Sequence, residues 1–261
     1  MTTTSQSKGA SADLTPETTA FIETVKHEAG RAFNAFRTTG TITANGTVGF
    51  IERVPGQELL VAVNYPGPFE VDQPLSAHVF DLQGKAVLGN PQGANRYARV
   101  FREQPTITSL SHVHSPSLGA WAQTHRSFPI HYVPVQRFRL SRELPVYIDR
   151  RQAEDDFILE TLSRTPETPG IIEANGGATV WGWKGLRDLA EFILLLEEGA
   201  DIQVRAQAVG GSRPFGPGVL RQQWTMSGLY DRARAENLLT AHDLPSCENA
   251  PGLGWGYASR R

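Results

Sequence analysis

The sequence predicts a mixed α/β domain, and three observations support this fold class. Two long segments, 15–40 and 185–209, carry apolar residues at the spacing of an amphipathic helix. Several short apolar runs between them are bounded by turn sequences, as expected for strands and hairpins. The 261 residues are 39% hydrophobic and 20% charged, so the chain can bury a core of ordinary size.

The first helix is predicted to begin at Thr15 and to stop near Gly40. Thr15 offers a hydroxyl cap, Pro16 suits the first helical turn, and the helix dipole favours the acidic Glu17. Glycine readily adopts the left-handed conformation that ends many helices. The apolar stripe of this helix consists of Phe21, Ile22, Val25, Ala29, Phe33 and Phe36.

The remaining elements alternate between β and α patterns. Turn sequences at Pro55-Gly56-Gln57 and Asn175-Gly176-Gly177 each separate two strand-like runs. Pro116 suits a helix start, and Gly210-Gly211 suits a helix end. The predicted elements are strands over 47–54, 58–63, 76–80 and 86–88, a helix over 95–103, a strand over 106–114, helices over 117–124 and 153–164, two strands within 170–181, and a helix over 185–209.

The ends of the chain differ in composition from its middle. Residues 1–14 are rich in Thr, Ser and Gly, which predicts a disordered leader. Residues 15–211 are predicted to form the domain. Residues 212–261 are predicted to form an appended arm, helical over 219–241 and extended in its Gly- and Pro-rich last part.

Charge and composition argue against several classes of function. The formal net charge of −2 provides no basic field for nucleic acid. We see no run near the ~20 apolar residues that cross a membrane. Cys247 is the only cysteine, so a disulfide within the chain is impossible, which favours the reducing cytoplasm.

The most informative motif is His112-Val113-His114, at the end of the predicted strand 106–114. Side chains alternate between the two faces of a strand, so residues two apart point the same way. Two neutral imidazoles on one face can bind one metal ion. The motif therefore predicts a metal site that includes His112 and His114.

The order of motifs resembles the class II aldolase and adducin family over about residues 18–210. The matching pieces are 79–84, 97–101, Pro105, 112–116, 173–182 and Glu197-Glu198. The resemblance implies a three-layer α/β/α fold around a mostly antiparallel sheet, commonly assembled as a homotetramer. It also implies a divalent metal bound by the His-x-His pair.

The sequence departs from the family at two positions. Family enzymes add a third histidine to the metal site, and the corresponding residue here is Gly176. Family aldolases also place a catalytic glutamate upstream of the histidine pair, and that position is Gly93 here. Since glycine can neither ligate a metal nor transfer a proton, we do not expect an ordinary sugar-phosphate aldolase.

Other residues are candidates for the missing roles. His131 lies on an apolar strand-like segment and is our candidate for the third metal ligand, with His125 and Glu173 as alternatives. An arginine suits a substrate carboxylate because it binds that group in a bidentate manner. The predicted substrate pocket contains Trp121, Tyr132, Trp181 and Arg96, with Arg99 and Arg126 as open alternatives for the arginine.

Three functions are compatible with these features. The overall pattern most resembles the branch of bifunctional non-haem iron oxygenases of novobiocin and clorobiocin biosynthesis. That branch implies Fe(II), O2 and a prenylated 4-hydroxyphenylpyruvate, which is converted through a mandelate to a 4-hydroxybenzoate. The second candidate is a redox-neutral lyase that uses Zn(II) or Mn(II) on an aromatic or oxo acid. The third is a non-catalytic binding module, as in adducin.

Overall fold

A computed structural model describes residues 14–42, 48–91, 93–241 and 243. It shows an eight-stranded sheet with helices on both faces, which confirms the predicted three-layer α/β/α fold. Leader residues 1–13 and the end of the arm, 244–261, lie outside the described residues. Cys247 is therefore also outside the described residues.

The large sheet is almost entirely antiparallel. Its strand order is β4-β3-β2-β1-β5-β10-β9-β8, and only β8 and β9 run parallel. A separate two-stranded sheet contains β6 and β7. The strands are β1 (Val48–Arg53), β2 (Leu59–Asn64), β3 (Ala77–Asp81), β4 (Ala86–Leu88), β5 (Ser109–Val113), β6 (Phe128–Pro129), β7 (Glu143–Leu144), β8 (Val146–Tyr147), β9 (Gly170–Glu173) and β10 (Ala178–Gly182).

Helices cover the large sheet on two sides. One face packs against α1 and α6, and the other packs against α2 and α5. None of the helices in the described ranges is long and apolar enough to span a bilayer. The helices are α1 (Pro16–Thr39), α2 (Ala98–Glu103), α3 (Pro116–Ala122), α4 (Val133–Arg137), α5 (Glu154–Arg164), α6 (Leu186–Ala206), α7 (Val219–Met226) and α8 (Tyr230–Ala235).

The ends of α1 agree with the sequence signals. The Thr15 side chain accepts a hydrogen bond from the Thr18 amide at 3.2 Å, which caps the helix. Gly40 ends it in the left-handed conformation, with φ of 76°. These signals are local, so they could be recognised without knowledge of the tertiary contacts.

The register of the central strands positions the histidine motif. β5 lies between β1 and β10, and His112 is paired with Gly49 on one side and Thr179 on the other. The predicted strand 106–114 is shorter in the structure, so His114 lies just beyond β5. The motif thus lies at the end of a strand in the middle of the sheet.

The arm differs from its prediction. The expected single helix over 219–241 is two helices, α7 and α8, because Gly228 turns the chain with φ of 74°. Trp224 of α7 is fully buried and anchors this segment. Its indole N–H donates to the carbonyls of Gln136 at 3.0 Å and Arg139 at 3.2 Å.

Candidate metal centre

The two histidines of the motif converge on one point. Nε2 of His112 and Nε2 of His114 are 3.0 Å apart. Nitrogens that share a tetrahedral zinc ion at about 2.0–2.1 Å would be separated by about 3.3 Å. The two imidazoles therefore have the spacing required for one coordination sphere.

Glu173 fixes the orientation of His112. Its Oε1 lies 2.7 Å from Nδ1 of His112, and its Oε2 accepts a hydrogen bond from Arg150 at 3.1 Å. Burial opposes ionisation of Glu173, but hydrogen bonds from His112, Thr179 and Arg150 lower its pKa to about 2. An ionised Glu173 accepts a hydrogen bond from Nδ1 of His112, and this leaves the Nε2 lone pair available to a metal.

His114 is suited to the same role. Burial lowers the pKa of His114, and the neighbouring His112 lowers it further. A neutral imidazole is the form that binds a metal. The residues present therefore fit a divalent cation.

Two carboxyl groups and a hydroxyl surround His112 on the Nδ1 side. His112, Glu154 and Glu173 carry possible ligand atoms within 4.8 Å of one another. Thr179 Oγ1 lies 2.7 Å from Oε1 of Glu154 and 2.7 Å from Oε1 of Glu173. Because Thr179 has one proton, the two carboxylates compete for it. A cation bound by both histidines would lie on the Nε2 side, since Nδ1 of His112 is occupied by Glu173.

Glu154 has the opposite electrostatic character to Glu173. Burial raises the pKa of Glu154, and the negative charge of Glu173 raises it further. Tyr97 donates a hydrogen bond from its hydroxyl to Oε1 of Glu154 at 2.9 Å. One carboxyl group at the site is thus held ionised, while ionisation of the other is disfavoured.

A cavity of about 240 Å³ opens beside His112. Arg96 lies at its side and remains about half exposed, with Nε 3.6 Å from Oε2 of Glu154. The structure therefore places the predicted pocket arginine next to the predicted metal ligand. The cavity is lined by Val48, Gly49, Ile51, Asn64, Tyr65, Gly93, Ala94, Arg96, Tyr97 and His112.

The two glycine positions singled out in the sequence both border this site. A Cβ atom at Gly176 would lie 3.7 Å from Nε2 of His114. A side chain there would point at the histidine pair. Gly93 lines the cavity in the left-handed conformation, with φ of 86°.

His131, the predicted third metal ligand, contacts the arm through its side chain. Its Nδ1 lies 3.0 Å from the Ser212 hydroxyl, and its ring packs edge-on against Phe215. The apolar segment before His131 enters the small sheet through β6. His131 consequently contacts the arm.

Three aromatic residues predicted for the pocket, Trp121, Tyr132 and Trp181, do not line the cavity beside His112. Trp121 is buried against Phe128, and Tyr132 packs against Gly199 of α6. Trp181 is covered by the core that α2 and α5 complete, and it is fully buried. The aromatic residues that line the cavity are Tyr65 and Tyr97.

Glu197 supports the chain immediately after the histidine pair. Its carboxylate accepts hydrogen bonds from the Ser115 hydroxyl at 2.6 Å and from the amides of Ser117 at 2.6 Å and Leu118 at 3.0 Å. A carboxylate at a helix N-terminus satisfies free amides and complements the helix dipole. Glu197 therefore tethers the start of α3 to α6.

Sequence reasoning did not find Glu154, Thr179, Tyr97 or Arg150. Several of their contacts join residues far apart in sequence; Tyr97 and Glu154, for example, are separated by 57 residues. No local spacing signals such a contact, because the sheet and α5 bring these residues together. The hydroxyl and carboxyl types alone are too common to identify a site.

Comparisons with known proteins agree with this fold. The Class II Aldolase and Adducin N-terminal domain profile matches residues 27–204. YgbL from Escherichia coli has 18% sequence identity and a TM-score of 0.64, with 78% of this chain and 99% of that chain covered. An L-fuculose 1-phosphate aldolase from Glaciozyma antarctica has 15% identity and a TM-score of 0.64, with 87% and 93% covered. The l-fuculose-1-phosphate aldolase of Thermus Thermophilus has 18% identity and a TM-score of 0.58, with 73% and 100% covered.

Proposed function

Because this chain belongs to the class II aldolase and adducin family, we propose that it is a divalent-metal enzyme that removes carbon dioxide from an aromatic 2-oxo acid. The observation that carries the proposal is the convergence of His112 and His114 at 3.0 Å beside a cavity lined by Arg96. When bound, the metal would polarise the keto oxygen, and Fe(II) would also provide a site for O2.

Different side chains bind the metal and the substrate. His112 and His114 hold the cation, and Glu173 keeps His112 in the tautomer that exposes Nε2. Arg96 offers its guanidinium to the substrate carboxylate, for which a planar fork of donors is well suited. Gly93 and Gly176 leave space where side chains would otherwise enter the site.

The preferred form of the reaction is oxidative. With two protein nitrogens on the cation, positions remain for the carboxylate and keto oxygens of the substrate and for O2. The reaction would convert a prenylated 4-hydroxyphenylpyruvate through a mandelate to a 4-hydroxybenzoate, with two losses of carbon dioxide. The support is the resemblance to the iron oxygenase branch together with the open side at Gly176.

A redox-neutral lyase using Zn(II) or Mn(II) is the second candidate. It is favoured by the similarity in fold to solved proteins named L-fuculose 1-phosphate aldolase. In this form a carbonyl polarised by the metal would accept the electron pair of a C–C bond broken at the adjacent carbon, as in aldol cleavage, and an enolate would result. The third candidate, an adducin-like binding module, would need no metal. For all three we propose a homotetramer located in the cytoplasm, without nucleic-acid or membrane partners.

Oxygen uptake and metal content together test the proposal. Protein loaded with Fe(II) without air is mixed with 4-hydroxyphenylpyruvate or its 3-prenylated form. Oxygen uptake that needs both iron and substrate, with release of carbon dioxide, supports the oxidative form. Release of carbon dioxide without oxygen supports the lyase. A purified protein that binds no divalent metal supports the binding module.

Two substitutions assign the site in the same assay. We expect His112→Ala to lose metal and activity together, because it removes one of the two converging nitrogens. The matched control is His131→Ala. It removes an imidazole that is hydrogen-bonded to Ser212 and should keep full metal content. Retention of metal by the first variant and loss by the second would contradict the assignment.

A further inference from the structure

Arg96, Tyr97 and Glu154 form a hydrogen-bonded chain beside the cavity. Arg96 donates to the Tyr97 hydroxyl at 2.7 Å, and that hydroxyl donates to Oε1 of Glu154 at 2.9 Å. The Arg96 guanidinium also lies over the Tyr97 ring, 4.6 Å from its centroid. Tyr97 is only 2% exposed, so its hydroxyl is shielded from bulk water, whereas Arg96 remains about half exposed.

This chain of residues connects the cavity to a proton acceptor. Tyr97, Arg96 and His112 all line the cavity. Behind them, Glu154 reaches the same place from the first turn of α5. A tyrosine in a cavity wall whose hydroxyl donates to a carboxylate has the arrangement of a proton shuttle.

We propose that Tyr97 and Glu154 are the proton-transfer pair of this site, acting on C3 of a bound 2-oxo acid. Tyr97 is the catalytic residue that contacts the substrate. Glu154 acts through Tyr97: it accepts a proton from the Tyr97 hydroxyl and later returns it. The inference rests on the proposed binding of a 2-oxo acid at the metal. It adds a separate activity, reversible enolisation at C3.

Protons and electrons balance in this enolisation step. The C3–H bond breaks, and its electron pair enters the enolate of the oxo acid. The released proton binds to the Tyr97 oxygen, while the proton that Tyr97 already shares with Glu154 moves onto Oε1 of Glu154. The reverse movement forms a new C3–H bond and restores both residues, so no oxidant or reductant is consumed.

The electrostatics of the pair suit these roles. Burial raises the pKa of Tyr97, and the nearby Glu154 raises it further. Tyr97 therefore gives up its proton to Glu154 only when it accepts the proton released from C3. Burial also raises the pKa of Glu154, which makes its carboxylate a stronger base near neutral pH. Arg96 stabilises negative charge that develops on the Tyr97 oxygen. Gly93, on the same cavity wall, has no side chain with which to perform this task.

Solvent exchange at C3 tests the pair separately from decarboxylation. The protein is loaded with Zn(II), kept under argon, and mixed with 4-hydroxyphenylpyruvate in D2O. Proton NMR follows the loss of the C3 signal above the protein-free rate. The same measurement is made on Tyr97→Phe, Glu154→Gln and the matched control Tyr147→Phe. Tyr147 is a buried tyrosine of the same core, and its hydroxyl donates to the Gln152 backbone carbonyl.

We expect the unchanged protein to accelerate exchange. Tyr97→Phe and Glu154→Gln should each slow it by about 100-fold, because general acid–base groups typically contribute factors of this order. Tyr147→Phe should stay within about twofold of the unchanged protein. Zn(II) affinity, measured by calorimetry, should be the same within about twofold in all four proteins, since neither residue of the pair is assigned as a metal ligand.

The outcomes separate this inference from the proposed function. Exchange at the unchanged rate in Tyr97→Phe and Glu154→Gln would overturn the pair, as would the absence of any acceleration by the unchanged protein. A parallel loss of Zn(II) affinity and exchange would also overturn it, because the residues would then act by holding the site together. Exchange that depends on the pair, in a protein that never releases carbon dioxide, would support the pair and overturn the proposed decarboxylation.

Discussion

Glu52 should make the stability of this protein fall as the pH rises. Its side chain is buried on β1, beneath the start of α6, and the residue is only 8% exposed. Burial raises its pKa to about 8, and the backbone N–H of Leu186 opposes this shift only in part. Its Oε2 atom has no hydrogen-bond partner among the described residues.

The sign and size of the effect follow from the two pKa values. The ordinary value is 4.5, and the folded value is about 8. Between them the folded protein holds a proton that the unfolded chain has released, so the free energy of unfolding decreases as pH rises. At 1.36 kcal/mol per pKa unit, the loss between pH 4.5 and pH 7 is about 3 kcal/mol. Such a loss is a large part of a typical total stability of roughly 5–15 kcal/mol.

Urea unfolding at several pH values between 5 and 7 would measure this loss. Glu52→Gln has a neutral side chain at every pH. Its free energy of unfolding should therefore lack the pH-dependent contribution of Glu52. The difference in free energy of unfolding between the two proteins should change by about 2–3 kcal/mol across the range. The variant should become more stable relative to the unchanged protein as pH rises. Glu58→Gln, at an exposed position of the adjacent hairpin, is the matched control and should follow the unchanged protein. Parallel curves for Glu52→Gln and the unchanged protein would refute the reasoning.

Three further predictions concern the metal site and the arm. Gly176→His should lower the Kd for Zn(II) at least about tenfold, because its Cβ would lie 3.7 Å from Nε2 of His114 and a third imidazole could join the pair. Glu173→Gln should raise the Kd for Zn(II) by about 10–100-fold, since it loosens the orientation of His112; calorimetry would measure both constants. Trp224→Ala should lower the free energy of unfolding by about 3–5 kcal/mol in urea titrations and leave Zn(II) affinity unchanged.

Each of these predictions has a distinct contrary result. Gly177→His is the matched control for Gly176→His, because its Cβ would clash with the Val113 carbonyl oxygen and the variant should unfold more easily. Equal metal affinity of Gly176→His and the unchanged protein would show that position 176 does not face the ion. An unchanged Kd in Glu173→Gln would mean that His112 needs no support. A weaker metal affinity in Trp224→Ala would show that the arm contributes to the site.

The layered α/β/α fold was implied by the resemblance to a known family, whereas the sequence alone determined two features: the long helices and the histidine pair. Both depend on short-range periodicity: apolar residues at 3.6-residue spacing bury one face of α1 and α6, and a spacing of two points His112 and His114 the same way. Caps and turns, such as Thr15 and Gly40, are equally local. These features could therefore be predicted before any tertiary contact was known.

Only the tertiary structure decided what surrounds the pair. The segment containing His131 was predicted to be strand-like, and the pairing of β6 with β7 directs that histidine to the arm. Trp181 had the side-chain type of a substrate pocket, yet the helices over that face buried it completely. Glu154 is distant from His112 in sequence, and the packing of α2 against α5 brings it to the site. Which residues share a site depends on how layers stack, and this information is not carried by the spacing within any one element.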